Sequence, residues 1–193
     1  MNKTRLEAFS DGVLAIIITI MVLELKVPHT DDWAVLREMI PIFLGYLLSF
    51  IFIGIYWVNH HHLLHLAQQV DSRIMWANLM LLFWLSLVPF ATGWMGENHF
   101  STHTVVVYAV ILELCGISFS ILQTQITRSH HIEGPLLIAV ERLKRKGIIS
   151  TVCYAAAIGL AFFNPLLSCA LFLIVSIIWL IPERSIESAL NKN

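Results

Sequence analysis

Residues 5–25 read RLEAFSDGVLAIIITIMVLEL. A stretch this apolar is long enough to cross a bilayer, which takes about 20 residues of helix. Yet it places a carboxylate, Asp11, about two helical turns inside its first charged residue, Arg5. Polar groups are costly in hydrocarbon, so each one inside an apolar span is a functional candidate. On a helical wheel Arg5, Phe9, Gly12, Ile16 and Leu23 share one face, with Thr19 and Ile20 at its edges. Asp11 lies roughly a third of a turn away. The carboxylate therefore addresses a neighbouring helix, while the aliphatic stripe faces something else.

The rest of the chain sets the context for that helix. Of its 193 residues 58% are hydrophobic and only 13% are charged, and the mean hydropathy is +0.76. Such a composition excludes an ordinary soluble domain and implies an integral membrane protein. A net charge of −1 with no basic footprint points away from nucleic acid. Six apolar spans are expected: Ala8 to Leu25, Met39 to Val58, Ile74 to Met95, Thr104 to Leu122, Ile148 to Phe163 and Leu166 to Ile181. The last two are separated only by Asn164 and Pro165, a turn signal, and read as a tight helical hairpin. The first span follows Lys3 and Arg5 but carries Asp11 and continues into Glu24-Leu25-Lys26 rather than a small-residue cleavage site, so it is expected to stay in the mature chain. The expected architecture is all-α, a polytopic membrane protein of six transmembrane helices forming one domain over residues 1–193.

Lys and Arg accumulate on the cytoplasmic side of membrane proteins. In the six-span arrangement ten of them (Lys3, Arg5, Arg73, Arg128, Arg142, Lys144, Arg145, Lys146, Arg184 and Lys192) fall on one side, and two, Lys26 and Arg37, on the other. Both termini are therefore expected in the cytoplasm. Gly134 to Gly147, containing PLLIAVERLKRK, reads as the longest cytoplasmic connection and as an orientation anchor in preference to an anionic-lipid contact.

The second span runs antiparallel to the first, so WVNHHHLLH (57–65) ends at the depth of Arg5 and Asp11. Asn59, His60 and His61 are the candidate partners of that polar pair, in a network that fastens two helices. His61 and His65, and again His99 and His103, have the i, i+4 spacing that can place two imidazoles on one helix face. Membrane di-iron enzymes need several separated histidine boxes, and one cluster plus His130 and His131 falls short. Glu113, near the middle of the fourth span, reads as an interhelical hydrogen-bond group, with a proton-coupling carboxylate as the alternative. Cys115, Cys153 and Cys169 have no paired spacing and read as small core residues. There is no catalytic Ser, His and Asp constellation at one depth, no phosphate-cradling glycine loop and no TVGYG potassium filter.

The motif R-L-E-A-F-S-D, followed by A-I-x-x-T and V-L-E-L, resembles the first-helix signature of the transmembrane protein 175 family, the endolysosomal potassium channels and their prokaryotic relatives. The likeness extends through GYLLSFIFIGIYWVNHHH and NLMLLFWLSLVPFATGWMGE. Single-repeat members of that family assemble as homotetramers, so the resemblance implies a homotetramer in a prokaryotic inner (plasma) membrane. It implies that the first helix lines a central pore, with Ile16, Ile20 and Leu23 as a hydrophobic constriction and Thr19 contributing to cation selectivity. Arg5, Ser10, Asp11 and either His60 or His61 would then form the network holding the pore helices. The implied activity is a potassium-selective leak-type channel, with potassium as permeant ion and no cofactor. Leu14 stands where the family usually has Phe, and Ile20-Met21 where it usually has two Leu. A proton-coupled cation transporter using Glu113 and Asp11, or a histidine-dependent membrane metalloenzyme, are the competing classes.

Overall fold

The computed structural model describes residues 2–67, 69–129 and 135–180. Within them the chain is helical: α1 (Lys3–Met21) ending in a 3-10 turn (Val22–Glu24), α2 (Trp33–His65), α3 (Ser72–Ser86), α4 (Val88–Glu97), α5 (Thr102–Ser129), α6 (Pro135–Ala161) and α7 (Pro165–Leu180). α3 and α4 make one span, Ser72–Glu97, interrupted at Leu87, so the helices form six rods. Pro89 causes the interruption, because it has no N–H to continue the helical ladder. Four rods are long and apolar enough to cross a membrane: α1 with its 3-10 turn, α2, α3 with α4, and α5. The α6 and α7 hairpin is shorter in its apolar part.

The helices run longer than their apolar cores. α2 has 33 residues and carries the whole histidine cluster, and α5 continues past Leu122 to Ser129. The larger correction concerns residues 134–147, expected as a connection. α6 begins at Pro135, thirteen residues before the expected Ile148. Proline suits the first turn of a helix, and Ala139, Val140 and Leu143, at helical spacing, are buried. The Gln123 amide on α5 donates to Val140 O at 3.1 Å. His130, His131, Ile181, Arg184 and Lys192 lie outside the described residues.

α1 packs against α2, α3 and α4, whereas α5 packs against α3, α4 and α6, and α7 closes on α6 and α2. The core between them is built on Phe52, Leu81, Leu85, Tyr108, Leu112 and Phe172. α2 and α4 touch backbone to backbone: a Cβ on Gly96 would stand 2.7 Å from Ile42 Cα. One buried hydroxyl chain joins α2, α4 and α5. Thr92 Oγ1 donates to Val88 O at 2.7 Å, so Ser49 Oγ donates to Thr92 at 2.6 Å and Tyr108 OH to Ser49 at 2.8 Å. Each donor in this chain has an acceptor, as the water-free interior of a bundle demands.

Lys3, Arg5, Arg73, Arg128 and the 142–146 cluster gather at one end of the bundle. Lys3 Nζ marks that end by donating to His65 O at 3.0 Å. At the other end Lys26 pairs with Glu97, and Glu24 lies across the bare Cα of Gly93. Both contacts seat the end of α1 on α4.

Candidate functional site on the first helix

Asn2 caps α1, its side chain accepting from Thr4 N at 3.1 Å. Leu6, Ser10, Leu14, Ile17 and Met21 are the buried residues of the helix. Their spacing of three and four makes them one stripe facing the bundle. The opposite stripe is left uncovered: Ile16 is 57% exposed, Ile20 44% and Leu23 74%, against 4% for Ile17. Arg5, Phe9, Gly12 and Thr19 are exposed on the same side, and a Cβ added at Gly12 would meet nothing within 4 Å. From Ile16 to Leu23 the aliphatic residues extend about 10 Å along the axis.

Thr19 has a particular geometry. Its hydroxyl donates back to the helix, to Ile16 O at 2.9 Å and Ala15 O at 3.0 Å. With its one proton engaged there, the oxygen presents only lone pairs on the uncovered side. A hydroxyl in that state can accept or ligate and cannot donate.

The polar residues of α1 divide between two partners. Ser10 Oγ donates to Leu6 O at 2.8 Å and accepts from Asn78 Nδ2 at 2.9 Å. Asn78 Oδ1 therefore accepts from His60 Nε2, 2.6 Å away. Ser10, Asn78 and His60 are all buried, and their chain ties α1, α3 and α2 together. Asp11 accepts instead from Trp57 Nε1 at 3.0 Å. Ser10 and His60 are thus brought into one network and Asp11 into an adjacent one. Arg5 and His61 are not: both are exposed, His61 lies beside His65 with ring centroids 5.8 Å apart, and Arg5 has no side-chain partner among the described residues.

Asn78 and Trp57 escaped the sequence reading. Asn78 carried a usable signal, being an amide within WANLMLLF, where any polar group needs a partner. Asn59, expected as a partner, turns back onto its own helix and donates to Ile55 O at 2.8 Å. The His99 and His103 pair does not share a helix face, because His99 sits in the turn before α5 with φ 49°. Glu113 Oε2 is buried without a hydrogen-bond partner among the described residues, so the expected interhelical bond is not made. The three cysteines are free thiols. Among the described residues no three His, Cys, Asp or Glu side chains cluster as a metal site.

A family profile described as the endosomal/lysosomal potassium channel TMEM175 matches residues 5–89, which contain α1 from its first turn onward, its partners Trp57, His60 and Asn78, and the interruption at Leu87. A potassium channel of Chryseobacterium sp. (strain P1-3) is 49% identical over 193 residues, covering all of both chains. The human endosomal/lysosomal proton channel TMEM175 is 28% identical over 183 residues, which cover 84% of this chain and 35% of the human one. The crystal structure of a lysosomal potassium-selective channel TMEM175 homologue from Chamaesiphon minutus superposes with a TM-score of 0.82 at 30% identity, covering 95% of this chain and 97% of that one. These relatives are channels and not enzymes. A multi-pass membrane protein with this signature helix and a relative this similar along its whole length, the chain belongs to the TMEM175 channel family.

Proposed function

We propose that the chain is one subunit of a homotetrameric, potassium-selective leak-type channel in a prokaryotic inner membrane, with the basic end of the bundle and both termini in the cytoplasm. Residues 1–193 act as one channel domain, potassium is the permeant ion, and no resident cofactor or nucleic-acid partner is involved. The observation that carries this reading is the bare stripe of α1, held by three helices on its other side. One chain cannot enclose an axis with a single helix, but four copies can. Ile16, Ile20 and Leu23 then form the constriction, and Thr19 presents its oxygen lone pairs to passing cations. The polar residues behind the stripe hold the helix in place.

An aliphatic ring narrow enough to exclude a hydration shell offers an ion no replacement ligands. Crossing depends on how much water the ion must shed and how firmly it holds it. Potassium holds water less firmly than sodium, so such a barrier passes potassium preferentially without a carbonyl cage. Dewetting of the same ring closes it. The potassium channels among the relatives support this assignment. Asp11, already tied to Trp57, shares no hydrogen bond with Glu113, which argues against the transporter class.

Native mass spectrometry of the purified protein should show four chains, and proteoliposomes should pass potassium down an imposed potential without proton coupling. A monodisperse monomer that still conducts removes the pore. The name of the human relative supports a second permeant species, because a ring that excludes hydrated ions can still admit a single file of water. Proton flux abolished together with potassium flux by a constriction variant would place both in one pathway.

A further inference from the structure

α5 and α6 approach closely where Gly147 faces Ser120: an added Cβ would stand 3.4 Å from Ser120 Oγ. Below that approach the pair leaves a furrow of about 400 Å³ on its outer side. Ile117, Ile121, Ile148 and Val152 form its walls and are 39%, 37%, 58% and 62% exposed. The hydroxyls beside them are quenched internally, Ser120 donating to Gly116 O at 2.9 Å and Thr124 to Ser120 O at 2.7 Å. Thr151 and Gln125 complete the lining, and the walls between them are aliphatic.

Its upper end has a different character. Arg128 lies one turn beyond Thr124 on α5, and Lys144 one turn before Ile148 on α6. The two helices are antiparallel, so both cations stand toward the basic end of the bundle. Both are exposed, and neither has a side-chain partner among the described residues. The neighbouring Lys146 is engaged by this chain, lying 5.9 Å over the Trp179 ring. Glu141 shares the upper end, where the two cations outnumber it.

An aliphatic trough with two cations beyond one end, neither with a side-chain partner among the described residues, has the amphiphilic division of one kind of molecule. We propose that the α5 and α6 furrow binds an anionic phospholipid of the surrounding leaflet. One acyl chain lies along the isoleucines and Val152, and the phosphate sits between Arg128 and Lys144. A basic side chain near a membrane surface attracts anionic lipid by roughly a fivefold change in affinity each.

The test uses the full-length protein, delipidated in detergent and offered phosphatidylglycerol or phosphatidylcholine at equal concentration, with retained lipid counted by native mass spectrometry. Wild type should retain phosphatidylglycerol preferentially. The double variant Arg128→Gln, Lys144→Gln should lose that preference by about twenty-five-fold. Arg73→Gln with Arg145→Gln removes the same charge from the same end but outside the furrow, and should keep the preference. Val152→Trp fills the trough with the charges intact and should reduce retention of both lipids. Equal retention of the two lipids by wild type, equal loss in both double variants, or full retention by Val152→Trp each overturns the proposal. Displacement by excess inorganic phosphate would mean that the cations hold an anion and not a lipid.

Discussion

The two faces of α1 are built on opposite rules. The inner face carries Ser10 in a closed hydrogen-bond chain with Asn78 and His60, and its aliphatic members are almost fully covered. The outer face leaves Ile16, Ile20 and Leu23 exposed, and carries one hydroxyl, on Thr19, whose proton is turned inward. A helix anchored in lipid alone would need no polar chain behind it, and a helix buried in a core would not leave its aliphatic stripe bare. The difference shows that position is fixed from behind so that the front can stay unpartnered. Small rotations of α1 would move the stripe, and the Ser10 chain resists them.

The largest contrast should come from two adjacent isoleucines. Ile17→Asn places an amide in a covered apolar site and should cost about 3 kcal/mol or more, seen as loss of folded, assembled protein. Ile16→Asn places the same amide on the bare face. It should leave assembly intact, raise potassium flux, and raise sodium flux further by lowering the dehydration barrier. Equal loss of protein and current in both variants, measured by size-exclusion chromatography and planar-bilayer recording, would make the two faces equivalent and remove the constriction.

Next in size is Asn78→Leu. It strands the His60 Nε2 donor and removes the donor to Ser10, so thermal stability should fall by about 1–3 kcal/mol. Ion preference in the protein that still assembles should move less than in Ile16→Asn. A variant of wild-type stability with altered selectivity would instead put Asn78 in the conduction pathway.

Thr19→Val is nearly isosteric and removes the hydroxyl, both its outward lone pairs and its donation to the carbonyls of Ala15 and Ile16, which keep their helical backbone partners. Stability should hold, while reversal potentials shift toward lower potassium over sodium preference by a factor of a few. An unchanged ratio would reduce Thr19 to a helix-filling residue.

The smallest effect belongs to Lys26→Gln at the other end of the bundle. The Glu97 hydrogen bond, and then its charge, raises the Lys26 ammonium above the ordinary lysine value. Its contribution is complete below that ordinary value and disappears as pH climbs through the raised one. The ammonium is fully exposed, so neutral-pH melts of wild type and variant should nearly coincide. A large shift would make this contact, and not the Ser10 chain, the main hold on α1.

What could be read from the chain, and what could not, follows from which forces leave a periodic trace. The bare stripe was legible because Arg5, Phe9, Gly12, Ile16 and Leu23 recur at helical spacing. The early start of α6 was not, because an apolar window registers the membrane core, whereas a helix continues wherever propensity and packing allow. The spacing of Ala139, Val140 and Leu143 held that information but was masked by the charges around it. Partner identity was the least legible. Asn59 and Asn78 are the same residue type at comparable depth, yet one bonds its own helix and the other joins three, which depends on rotation about helix axes that one sequence does not encode locally.

The rods return the chain to the side from which it started. Lys3 touches the end of α2, and Trp179 and Leu180 at the end of α7 line one pocket with Asn59 and His62 of α2, so the start of α1 and the end of α7 lie at the same end of the bundle. An even number of rods makes such a unit freely concatenable. Duplicating its gene head to tail needs only a linker on one surface, with no added crossing and no inverted copy, and each half keeps its own stripe for a shared axis. A two-unit chain can then let its first helices diverge independently, a freedom that identical copies of a one-unit chain do not have.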